Sequence, residues 1–109
     1  MAEQVSSEPI GVVVEPGKIL LRGDLVREQI ERLESLALPV LDGQIPGTRL
    51  EVALGQVRSL DTAGVAFLLS WQSLAAARSV SVRYTHPPKA LRPMMMVYGL
   101  NELMTVDGL

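Results

Sequence analysis

The chain has no cysteine and one histidine, His86. The first absence removes disulfides, thiolate zinc sites and cysteine nucleophiles together. The second leaves multi-histidine metal sites and most histidine-based triads without their parts. A basic excess is also missing: 10 Lys and Arg stand against 12 Asp and Glu, a net charge of -2 with a pI near 5.3. Nucleic-acid binders usually carry the opposite balance, so no nucleic-acid partner is expected. The N-terminal Met1 to Pro9 is acidic and polar, unlike a secretory signal. The longest uninterrupted apolar candidate, Val65 to Leu69, falls far short of the roughly 20 residues that span a bilayer. These absences predict a cytoplasmic domain with no direct membrane insertion, no metal, no cofactor and no catalytic residue. Any membrane role must come through a partner.

What is present is an ordinary globular composition, 48% hydrophobic and 20% charged over 109 residues, enough for one core. Residues 1–9 read as a disordered tail, and 10–109 as the domain. Gly11 to Glu15 is β-branched and short, Pro16-Gly17 is a turn, and Lys18 to Arg22 a second strand closed by Gly23. From Asp24, placed to cap it, the period becomes helical through Ile30, Leu33 and Ala37, with an end expected near Leu38 before Pro39. Arg49 to Leu54 and Ser79 to Tyr84 alternate as strands with one buried face, and Thr62 to Arg78 between them is helical. Strand, helix, strand implies a parallel pair with a right-handed crossover. A last helix from about Ala90 stops at Gly99, and Met104 to Val106 forms a short final strand. The fold class is therefore α/β, a two-layer arrangement of a small mixed sheet with helices mainly on one face.

The sequence carries few chemical motifs. Gly43 to Gly47 lacks the lysine and the following helix of a phosphate-binding loop, and no nucleophile elbow or HExxH occurs. Glu28, Glu31 and Glu34 with Arg27 and Arg32 read as a solvated helix face. His86, ahead of Pro87-Pro88, reads as a surface residue, and two of Met94, Met95 and Met96 as inward-packing. The second helix carries two apolar stripes, Phe67-Trp71-Leu74 and Val65-Leu68-Leu69-Ala75-Ala76. Either this helix is deeply buried or one stripe, with Phe67 and Trp71 as anchors, meets a partner.

The informative turn is Leu60-Asp61-Thr62-Ala63-Gly64. Asp61 or Thr62 can cap the helix, worth about 1 kcal/mol. A hydroxyl beside two slim residues at a helix start is also a surface that another protein can approach closely.

The run from Val52 to Leu69 resembles the signature of STAS domains, the small domains of anti-sigma factor antagonists and of sulfate-transporter tails, in which Asp-Ser/Thr-x-Gly opens a helix. Gly23-Asp24-Leu25 resembles the family's Gly-Glu-Leu, and Pro88 to Leu100 its last helix. Threonine at Thr62, Phe67-Leu68-Leu69-Ser70-Trp71 and the Tyr98-Gly99-Leu100 ending are most similar to the MlaB type, the cytoplasmic subunit of the ABC transporter that maintains outer-membrane lipid asymmetry. The resemblance implies that Thr62, with Asp61, Ala63 and Gly64, contacts an MlaF-like ATPase subunit, and through it a membrane permease. The alternative it implies is an anti-sigma factor antagonist phosphorylated at Thr62 by a serine kinase. Two departures bear on that alternative: Ala53-Leu54-Gly55 stands where Asp-Leu-Ser is frequent, and Val26 replaces the acidic residue after Gly-Glu-Leu. A hydrolase using Thr62 as nucleophile lacks a base beside it.

Overall fold

In a computed structural model, which describes residues 9–107, four strands form one mixed sheet in the order β1-β2-β3-β4. The elements are β1 (Gly11–Glu15), β2 (Lys18–Leu25), α1 (Ile30–Asp42), β3 (Arg49–Leu60), α2 (Thr62–Ala77), β4 (Ser81–Thr85) and α3 (Leu91–Val97). The expected tail lies almost wholly outside the described residues.

β1 and β2 form an antiparallel hairpin across Pro16-Gly17, and Gly17 takes the positive φ of 72° that this turn requires. β2 pairs with β3, and β3 with β4, in parallel. Register explains the two faces. Ile19, Val52 and Tyr84 lie abreast and are buried, whereas Lys18, Glu51 and Arg83 lie abreast on the opposite face. Leu33, Ala37 and Leu41 of α1 join Val65, Leu68, Trp71 and Ala75 of α2 and Leu91 and Met95 of α3 in one core with the first row. Tyr84, fully buried, donates its hydroxyl to the Leu68 carbonyl at 2.6 Å, which ties β4 to α2. Burial raises the Tyr84 pKa well above its ordinary value, so the phenol stays protonated and keeps that bond.

Several boundaries differ from the sequence expectation, β4 among them, which runs Ser81–Thr85 rather than Ser79 to Tyr84 because Ser79 takes φ 60°. β2 does not end at Gly23: that glycine adopts φ 106°, the strand runs on to Leu25, and Asp24 is a strand residue rather than a helix cap. Asp24 is instead buried and accepts a hydrogen bond from Ser59 at 2.9 Å. The helix begins later, after a 3-10 turn at Arg27–Gln29. It also ends later, at Asp42, with Pro39 inside it. Burying Leu41 is worth roughly 1.5–3 kcal/mol, comparable with the roughly 3 kcal/mol proline penalty, and the Pro39 carbonyl still accepts from Gly43 at 3.1 Å. Finally, β3 is 12 residues long. Its register against β2 slips twice, between Leu20 and Arg22 and between Gly23 and Asp24. Each bulge reverses the in–out alternation, so a period-2 reading stops at the first one.

The final segment is a single bridge rather than a strand: Val106 pairs with Tyr84. Tyr84 N–H donates to the Thr105 carbonyl at 2.9 Å and Asp107 N–H to the Tyr84 carbonyl at 2.8 Å, so the outer edge of β4 is covered at Tyr84. α3 ends as expected, Gly99 having φ 68°.

Candidate functional site

Asp61 decides the geometry of the turn between β3 and α2. It is the N-cap, in extended conformation, and its carboxylate accepts from two backbone groups: Oδ1 from Gly64 N–H and Oδ2 from Arg27 N–H, each at 2.9 Å. The first bond satisfies a donor of the opening helical turn; the second fastens that turn to the exit of β2. Of the two residues able to cap, the structure selects Asp61 and releases the Thr62 side chain.

Gly64 is buried against β2. A Cβ at this position would run into the Leu25 carbonyl oxygen, so only glycine lets the helix start lie this close to the strand. Thr62, Ala63 and Ala66 face outward, Thr62 and Ala66 fully and Ala63 partly. With Arg27 and Asp61 they line an open depression of about 390 Å³. The Thr62 Oγ1 lies 3.2 Å from the Tyr98 hydroxyl, at the C-terminal end of α3. Met96, Val97 and Tyr98, at the C-terminal end of α3, are exposed, so the helix end that carries the Tyr98 hydroxyl is apolar.

Sequence reasoning assigned no role to Tyr98. It lies 36 residues from Thr62, and its proximity to it is purely tertiary. Arg27 reads in the sequence as one member of a charged helix face, and nothing local places it beside Thr62.

Two expected anchors are elsewhere. Phe67 is 7% exposed and Trp71 3%, both inside the core, and Trp71 Nε1 donates to the Ala37 carbonyl at 3.3 Å. The surplus of apolar residues on α2 serves burial: the helix packs against both α1 and the sheet. Its outward face consists of Thr62, Ala66, Ser70, Ser73, Leu74, Ala76 and Ala77. Of the three consecutive methionines, Met95 is buried, Met94 packs partly against the core and Met96 is exposed.

A second polar cluster lies on the helix-free face of the sheet. Thr85 donates to Glu51 Oε2 at 2.7 Å, and His86 Nδ1 lies 3.2 Å from the Thr85 hydroxyl. The Thr85 bond, helped by the charges of Lys18, Arg83 and His86, holds the Glu51 carboxyl below its ordinary pKa. His86 is exposed, with φ 53°. Among the described residues no group of three or more acidic, histidine or cysteine side chains could hold a metal ion. No helix among them is long and apolar enough to cross a membrane.

A family model described as STAS_2, "Mlab, STAS domain", matches residues 12–106. Among solved structures, the unphosphorylated form of the anti-sigma factor antagonist SpoIIAA is similar with a TM-score of 0.66 at 15% identity, covering 89% of this chain and 86% of that one. The phosphorylated form of the Bacillus cell fate determinant SpoIIAA is similar with a TM-score of 0.64 at 17% identity, covering 89% of each chain. At such identities the likeness is one of fold. No curated protein matches the chain significantly.

Proposed function

The chain belongs to the STAS family, in the group described as Mlab, and from that premise we propose that it is an accessory subunit binding and regulating the ATPase of an MlaB-type phospholipid ABC transporter. The observation that supports this most is the exposed Thr62–Tyr98 hydroxyl pair, set on a helix start stripped to alanine and bordered by the apolar end of α3. Such a surface combines close backbone approach, two adaptable hydroxyls and desolvatable area, which is what a specific protein contact needs. Asp61 and Gly64 contribute by holding that surface in place, Asp61 through its two backbone bonds and Gly64 through its fit against Leu25. Phe67 and Trp71 support it from inside. On this reading the protein sits in the cytoplasm, peripheral to the inner membrane through its partner, and handles no lipid itself.

The test is affinity capture from native lysate, wild type beside Thr62→Arg and Tyr98→Phe, with retained proteins identified by mass spectrometry. Retention of an ABC ATPase and permease by wild type, lost in Thr62→Arg and weakened in Tyr98→Phe, is the expected result. Circular dichroism should show both variants folded, because both positions are exposed. An ATPase held equally by Thr62→Arg overturns the proposal.

A second reading, an anti-sigma factor antagonist switched at Thr62, rests on the fold likeness to SpoIIAA, whose solved forms include a phosphorylated one. Recovery of a serine kinase in the same capture would favour it.

A further inference from the structure

The two edges of the sheet are finished differently. On the β4 side, residues 105–107 occupy the free backbone groups of Tyr84, and Arg83 forms an ion pair with Asp107 at 3.0 Å. On the β1 side no described element continues the ladder.

Parity shows which groups this leaves. Glu15 and Lys18 close the two-residue turn and form a hydrogen-bonded pair of the antiparallel ladder. Gly11, Val13 and Glu15 therefore turn their N–H and C=O groups toward β2, and Val12 and Val14 turn theirs outward. Ile10 has the same parity and shows what such groups take: its N–H donates to Gln29 Oε1 at 3.3 Å and its carbonyl accepts from Arg32 Nε at 3.2 Å. Nothing comparable meets Val12 or Val14 among the described residues. Nor does β1 carry the usual edge protection. Its interior has no proline, lysine or bulge, and Val13 and Val14 are 38% and 56% exposed.

We propose that β1 pairs antiparallel with β1 of a second copy of this chain, about a twofold axis at Val13, giving a closed dimer with a continuous eight-stranded sheet. The register follows by elimination. Centring on Val12 would set Val14 opposite Ile10, whose groups are already engaged. Centring on Val14 would set Val12 opposite Pro16, which has no N–H to give. Centring on Val13 sets Val12 opposite Val14 of the second copy, twice, and satisfies all four outward groups of each strand.

The same register is complementary in charge. It places Glu15 of the second copy opposite Gly11, a residue without a side chain whose neighbour in β2 is Arg22. Two strand spacings, about 10 Å, separate Glu15 from that Arg22, a span their long side chains close. Each Glu15 then lies between its own Lys18 and the Arg22 of the second copy. On the same face the row becomes Leu20-Val13-Val13-Leu20, apolar across the axis. Addition of a further copy at the opposite edge is opposed by residues 105–107, which already hold the outward groups of Tyr84. The contact uses neither Thr62 nor Tyr98, so it stands independently of the functional reading above.

Sedimentation equilibrium of the full chain over a concentration series tests this. Wild type should shift reversibly from monomer to dimer and no further. Val14→Pro removes an outward N–H without touching the β1–β2 ladder, and should weaken the dimer about tenfold or more. Glu15→Arg should weaken it as well, and Glu15→Arg combined with Arg22→Glu should restore it. That recovery serves as the deciding variant should Val14→Pro fail to fold. A monomer up to about 1 mM, growth beyond a dimer, or a dimer that a folded Val14→Pro leaves unchanged each overturns the proposal, as does absence of rescue in the charge swap.

Discussion

The Asp61 carboxylate reaches the backbone N–H of Arg27, 34 residues earlier in the chain, at 2.9 Å while its other oxygen caps α2. One side chain thus closes the junction where β2 leaves the sheet and α2 begins. That junction sets where Thr62 stands.

Replacing Asp61 by alanine removes both acceptors at once. The expected cost is about 2 kcal/mol, from a lost cap and a second unpaired N–H, with Asp61→Asn costing about half because its amide keeps one oxygen. Urea denaturation of the three proteins measures this directly. Equal stability of Asp61→Ala and wild type would mean that water replaces the carboxylate without loss.

Burial and exposure on α2 separate two variants one residue apart. Phe67→Ala should cost about 3–5 kcal/mol through the cavity it leaves. Ala66→Arg should change stability by less than about 0.5 kcal/mol, since Ala66 is exposed, yet block whatever docks beside Thr62. Thermal unfolding and capture of the proposed ATPase partner, run on both variants, distinguish the supporting interior from the proposed contact surface.

The Glu51–Thr85 bond gives the stability a pH dependence of definite sign. Because the folded pKa of Glu51 is depressed from its ordinary 4.5, its contribution is present above that value and is lost as pH falls below it through the folded value. Thr85→Val removes the principal cause. Unfolding followed between about pH 5 and pH 3 should show a shallower loss of stability in that variant than in wild type. Parallel curves would sink the assignment.

The site was legible in the sequence where its chemistry is local. Asp61-Thr62-Ala63-Gly64 reads as a capped helix start because the cap, the hydroxyl and the glycine lie within four residues. Gly99 is legible for the same reason. What escaped depends on distant partners. Gly23 reads as a strand end, and only pairing with β3 carries β2 past it to Leu25. Pro39 reads as a helix stop, and only the burial of Leu41 overrides it. The lower half of β3 hides behind two bulges that reverse its alternation. Phe67 and Trp71 have the composition of interface anchors; the packing of α1 against α2, fixed by neither helix alone, turns them inward. Tyr98 reaches Thr62 only once α3 is laid beside α2.

Gly64 has a consequence for how this domain can diverge. Position 64 admits a single residue type, since the Leu25 carbonyl fills the space of any side chain, whereas positions 62 and 66, on the outward face of the same helix, admit many. Variation is therefore barred from the hinge of the turn and free on its rim. If this rim is the docking surface proposed above, a lineage can change its partner by exchanging one or two outward side chains, while the scaffold that presents them is inherited unchanged.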